Sequence, residues 1–223
     1  MMRESRIGAF FGILLFGSLW GALEATLGGL LANVPNHGAI MGNIGIVILA
    51  AAVALYKRPS VSLAIGLVAA SFKLLDVPLF GVAPFAKMIV SPMTAIVVES
   101  LAFATVVALA QRWYKRSTWA RGALGAAAMY LNYALEALVF VYILHKGPPI
   151  LISGHAGRFL LTDGSIAALL ALLASPVGYA VGSRVKRALK QLAERKPRLA
   201  YSGATAGILI CLVCAVWGTI AIG

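Results

Sequence analysis

Glu24, Lys73, Glu99 and Glu136 each lie inside a long apolar run of this 223-residue sequence. An ionisable side chain in hydrocarbon is costly, so such residues face the bundle interior or a water-filled space and serve a function there. Asn43 and Asn132 join them as uncharged polar groups. Asn132, Tyr133 and Glu136 stand at i, i+1 and i+4, so Asn132 and Glu136 share a helix face with Tyr133 at its edge. Trp20 precedes Glu24 by four residues and sets an aromatic wall beside a carboxylate. One lysine satisfies only one of three glutamates well, which leaves at least one to be neutral or to bind something else. The chemistry this suits is binding of a small solute or ion. The excess of carboxylate favours a cation or an amine. The segment Asn33–Gly38, with His37 in it, is placed to close over such a site. In the competing reading the polar groups pair with one another and only fix helix packing.

Other chemistries find less support. Paired carboxylates can perform acid–base catalysis on a lipid or isoprenoid-like substrate. No nucleophile and no diphosphate-binding acidic motif accompanies them, so this enzyme reading ranks second, and a purely structural bundle third. No HExxH, Ser–His–Asp signature or Rossmann glycine pattern occurs, and no catalytic residue, metal site or cofactor is assigned. No P-loop occurs either, so the chain does not itself hydrolyse ATP. Cys211 and Cys214 form C-x-x-C inside an apolar run and read as two small residues of a lipid-buried helix.

These residues need a membrane-spanning scaffold. Hydrophobic residues make up 61% of the chain and charged residues 12%, against about 45–50% and 25% in soluble domains. Lipid is the solvent that accepts this excess, so the fold class is an all-α polytopic bundle, a single membrane domain over 1–223. Candidate spans are 7–31, 38–56, 61–79, 92–112, 122–144, 162–182 and 201–222, each near the ~20 residues that cross hydrocarbon. The run Ile7–Ala32 exceeds the roughly 7–15 residues of a signal-peptide core, so it reads as a retained first helix. Lys73, Asp76 and Pro78 interrupt the third span, which runs to 79 or ends near Leu75. The Pro-rich stretch Asp76–Pro92 reads as a loop or re-entrant segment packed on protein. The last span, 201–222, reads as an appended helix.

The net charge of +12 points to topology rather than to nucleic acid, because the charges cluster between apolar runs. With the N-terminus cytoplasmic, fifteen of the 19 basic residues fall on inner segments. The exceptions are Lys73, Lys87, Lys146 and Arg158. Trp113, Tyr114 and Trp119 flank the third basic cluster as interface aromatics. The segment 183–198 reads as a short amphipathic cytoplasmic loop helix, with Val185, Leu189 and Leu192 on one face and Lys190 and Glu194 paired. Orientation also gives depth at about 1.5 Å per residue. Glu24, Asn43, Lys73, Glu99 and Glu136 all fall in the outer half and Asn132 near the centre, which suggests a polar cavity toward the outside. Gly17, Gly21, Ala25 and Gly29 recur every four residues, a small-residue stripe that lets another helix approach closely. Gly38 and Gly42 begin a shorter one.

The small size, the basic N-terminus, the stripe Gly17–Gly29, the segment Asn33–Gly38 and Pro92-Met93 leading into a helix with Glu99 together resemble the substrate-binding S components of energy-coupling factor (ECF) transporters. The likeness covers roughly the first six spans. It implies a six-helix protein of the bacterial cytoplasmic membrane that captures a small solute near the outer face. It also implies that Gly17, Gly21, Ala25 and Gly29 dock a transmembrane T subunit, with cytoplasmic ATPases supplying energy. Two features depart from the pattern: the seventh span, and Glu24 beside the proposed docking face.

Overall fold

The computed structural model describes residues 2–31, 33–144, 156–195 and 197–222, with side chains described over 8–31, 33–144, 156–188 and 202–221. Ala32 and Lys146 lie outside the described residues, as do the side chains of Arg3, Arg6, Leu189, Lys190, Leu192, Glu194, Arg195, Lys196 and Arg198. Among the described residues there is no strand. Among the described residues seven helices are long and apolar enough to cross a membrane, and the chain is a multi-pass membrane protein. They are α1 (Met2–Leu30), α2 (His37–Tyr56), α3 (Ser60–Phe80), α4 (Lys87–Leu109), α5 (Thr118–Ile143), α6 (156–195) and α7 (Pro197–Ile222).

In order of contact, α1, α3, α4, α5, α6 and α2 close a ring. Helix α2 is apolar all round and the most buried of the seven, as expected of a helix surrounded by protein. It also touches α3 and α4. The tightest crossing is between α2 and α6. A Cβ on Gly178 would lie 2.8 Å from Val47 Cα, and one on Gly182 would lie 2.6 Å from Ala51 Cα. Backbone thus packs on backbone, which is how small-xxx-small spacing joins helices in lipid. Asn43 reinforces the crossing. Its Nδ2 donates to Ala39 O at 2.8 Å and to Ala167 O of α6 at 3.1 Å.

The stripe on α1 is engaged within the chain. A Cβ on Gly17 would lie 2.5 Å from Val68 Cβ, and one on Gly21 would lie 2.5 Å from the Phe72 ring. Both glycines therefore serve the α1–α3 contact. Ala25 packs with Ala22 against Ala215 of α7, and Gly218 lies against Thr26. Helix α7 is thus peripheral, seated on α1 with a lesser contact to α6. Cys211 and Cys214 are free, the first partly buried at this α1–α7 seam and the second exposed.

One open choice is decided and two expectations are corrected. The third span runs the full length expected of it and does not stop near Leu75, because one turn of tighter helix (Phe72–Leu75) carries it through Pro78 to Phe80, where Gly81 stops it at φ 63°. Residues 76–92 hold no re-entrant segment. Helix α4 already begins at Lys87, and Pro92 sits close enough to its start that the carbonyl freed is in the first turn. The segment 183–198 is not a separate loop helix, since α6 runs unbroken to Arg195. At about 1.5 Å per residue α6 exceeds the ~30 Å hydrocarbon and carries its basic end beyond it.

The basic end is built around Tyr179. Lys57 Nζ donates to Tyr179 Oη at 2.7 Å, and the Arg121 guanidinium stacks 3.9 Å from the Tyr179 ring centroid. Arg121 Nε donates to Tyr114 O at 2.9 Å. Trp113 and Trp119 are exposed as interface aromatics should be, but Tyr114 is fully buried, with its hydroxyl 3.0 Å from Ser175 Oγ. Burial pushes the pKa of that hydroxyl well above the ordinary tyrosine value.

Candidate functional site

Successive spans alternate direction, so the last turns of α1, α3 and α5 meet the first turns of α2, α4 and α6 at the end opposite the basic residues. A cavity of about 660 Å³ opens there, within the roughly 300–1,000 Å³ of small-molecule sites. Helix α1 supplies Trp20 and Glu24, α2 supplies His37 and Gly42, and α3 supplies Lys73. Helix α4 supplies Glu99, and α5 supplies Asn132, Tyr133 and Glu136.

The cavity thus gathers eight of the nine residues assigned to it from sequence. Asn43 is the exception, because both its Nδ2 bonds go to backbone carbonyls and it ties α2 to α6 instead of lining the space. Of the stripe, only Gly29 reaches the cavity. Asn36, just before α2, and His37 and Gly38, its first residues, stand along the wall. Asn36 stands at φ 58°, a left-handed turn that asparagine tolerates and that swings the chain from the mouth into α2.

Glu99 is set deepest on its helix, twelve residues or about 18 Å along α4 from Lys87. It is 5% exposed. Two glycines of α2 make room for it. A Cβ on Gly42 would lie 3.3 Å from Glu99 Oε2, and one on Gly45 would collide with Glu99 Oε1 and stand 2.5 Å from the Trp20 ring. Trp20 is buried and forms the floor beside this carboxylate. Met129 Cε also approaches Gly42, which puts the Glu99 carboxylate beside the turn of α5 that continues to Asn132.

On α5, Asn132 Nδ2 donates to Glu136 Oε1 at 2.9 Å. Glu99 lies within electrostatic reach of Glu136 and Glu24, and Glu24 within reach of Lys73 and His37. Lys73 Nζ stands 3.7 Å from Asp76 Oδ2, so its charge is shared with a carboxylate outside the cavity lining. Glu99 Oε1, Asn132 Oδ1 and Ser91 Oγ are buried without a hydrogen-bond partner among the described residues. The Tyr133 and Phe159 rings lie 5.0 Å apart, with Phe140 also on the wall.

The sequence reading missed Lys87, Ser91 and Asp163, which also line the cavity. Lys87 and Asp163 stand near span ends, where a charge ordinarily faces water and signals nothing. Phe140 and Phe159 flank or enter short π-helical segments, Val139–Ile143 and Leu160–Gly164. Such widened turns often occur at functional positions, but apolar sequence does not announce them.

No protein-family model, curated protein or solved structure matches the chain. Among the described residues no group of three or more His, Cys, Asp or Glu side chains is placed to hold a metal ion. The arrangement is a largely apolar chamber whose lining includes Glu24, Glu99, Asn132 and Glu136, and what it can do chemically is hold a small polar solute away from bulk water.

Proposed function

We propose that this protein is the solute-binding subunit of a transporter in the bacterial cytoplasmic membrane, energised by separate subunits. The observation that carries the reading is the single chamber that collects Glu24, Glu99, Glu136 and Asn132 at the end opposite the basic loops. A packing role alone would bring these groups into mutual pairs and leave no such space. Here a volume of about 660 Å³ remains, with buried acceptors lacking partners on its wall. By the positive-inside rule the mouth faces outward, the side from which an importer captures its solute.

The chain carries no P-loop, so energy for release to the inside comes from other polypeptides: a transmembrane T subunit and cytoplasmic ATPases, in keeping with the ECF resemblance. Docking of a T subunit through Gly17 and Gly21 would require α1 to part from α3, and docking through Ala25 would require it to part from α7. The partner face in this proposal therefore lies elsewhere on the bundle.

Purification in native lipid, followed by mass spectrometry of retained solutes and of co-purifying chains, tests the proposal. A bound solute together with an ATPase-bearing partner is the expected result. A modified lipid as the retained molecule would transfer the site to an enzyme acting on lipid. Neither solute nor partner would leave a structural bundle.

A further inference from the structure

We infer that the solute is an organic amine, held by its ammonium group at Glu99 and Asn132, with its apolar body against Tyr133, Phe140 and Phe159. The inference rests on the solute-binding reading above and adds the chemical class.

The chamber offers acceptors. Asn132 is 2% exposed, and donation of its Nδ2 to Glu136 fixes the amide so that Oδ1 is left as an acceptor. Glu99 Oε1 is a second buried acceptor without a partner. Buried polar groups are ordinarily hydrogen-bonded, and leaving one unmade costs about 1–3 kcal/mol, more for a charged group. An ammonium group brings three donors and a positive charge, so it can serve both oxygens through charge-assisted bonds. A neutral hydroxyl brings one donor and no charge. An anion at this depth would face Glu99 and Glu136 together.

Charge over the whole wall agrees. Four carboxylates (Glu24, Glu99, Glu136 and Asp163) stand against the ammonium groups of Lys73 and Lys87, and Lys73 is already near Asp76. Metal cations need oxygen ligands at about 2.0–2.6 Å on several sides, and among the described residues no group of three or more His, Cys, Asp or Glu side chains is placed to supply them. The chamber of about 660 Å³ suits an organic body, and Tyr133, Phe140 and Phe159 give it apolar and cation-attracting faces.

The test uses three probes with one body and different heads: phenethylammonium, 2-phenylethanol and phenylacetate. Trp20 reports binding by fluorescence in a Trp113→Phe, Trp119→Phe, Trp217→Phe background in lipid nanodiscs, since those three tryptophans are exposed. Phenethylammonium should quench Trp20 saturably. Glu99→Gln and Asn132→Leu should each weaken it at least tenfold, with thermal unfolding showing that both variants fold; should one fail to fold, the other decides. Equal or tighter binding of the alcohol or the carboxylate overturns the amine class while the solute reading stands. Saturable competition by sodium or nickel chloride, as opposed to a gradual loss that follows ionic strength, overturns it in favour of a bare ion. Amine binding unchanged in a folded variant overturns the placement of the head group. No saturable quenching by any probe at millimolar concentration contradicts both the class and the solute reading.

Discussion

Asn132 and Glu136 are joined side chain to side chain, Nδ2 to Oε1 at 2.9 Å, across one turn of α5. The bond turns two residues of one helix face into a single unit, with the carboxylate held and the amide oxygen offered. Asn43 makes the opposite use of the same side chain, spending both Nδ2 bonds on backbone to join α2 to α6.

The two asparagines should therefore separate in mutagenesis. Asn132→Leu should weaken solute binding about tenfold or more, as loss of a hydrogen bond to a charged group is worth about 1.5–3 kcal/mol. Asn43→Leu should leave binding within a factor of about two and cost about 0.6–1.7 kcal/mol of stability, the range for interhelical bonds in lipid. Binding isotherms and thermal unfolding of the two variants check this.

Gly45→Ala should disturb the site through Trp20 and Glu99. Helix propensity alone would make alanine better by about 1 kcal/mol. Against that, the new methyl would meet the Trp20 ring and the Glu99 carboxylate, and overpacking costs typically about 1–3 kcal/mol. The expected outcome is a lower unfolding temperature together with weaker solute binding. A stabilised protein with normal binding would contradict the cradle.

Gly178 and Gly182 set the α2–α6 distance. Replacing either by valine should force the helices apart and lower stability by several kcal/mol, since backbone atoms cannot move aside as a flexible side chain can. Gly203→Val is the control, because nothing stands within 4 Å of a Cβ there. Thermal unfolding in detergent reads the difference.

These glycines also show how far the sequence was legible. The seven spans follow from hydropathy, because lipid demands unbroken apolar helices and leaves little else to choose. The gathering of Glu24, Glu99 and Glu136 follows from depth, because positive-inside topology supplies a ruler. Depth does not give azimuth, so Asn43 was placed on the cavity when its side chain turns to α6. Small-residue spacing gives an interface but not its occupant. The stripe on α1 left open packing within the bundle or docking of a partner; Gly17 and Gly21 pack on α3, Ala25 packs on α7 and Gly29 lines the cavity, while Gly178 and Gly182 passed unnoticed. Lys87 and Asp163 were missed because near a span end a cavity charge and a solvated charge look alike.

Deletion of 197–223 should spare the site. Helix α7 packs on α1, and none of its described side chains lines the cavity. The shortened chain should insert and retain solute, with a lower unfolding temperature from exposure of Ala22 and Ala25. Loss of solute with the fold intact would show that α7 positions α1 for binding.

The most direct test of the central claim is the amount of solute retained per mole of protein purified in native lipid, for wild type and for Glu99→Gln and Glu136→Gln. A stoichiometric solute in the wild type, reduced at least tenfold in both variants with insertion and folding unchanged, is the predicted result. Equal retention in all three, or none in the wild type, would contradict a solute site built on these carboxylates.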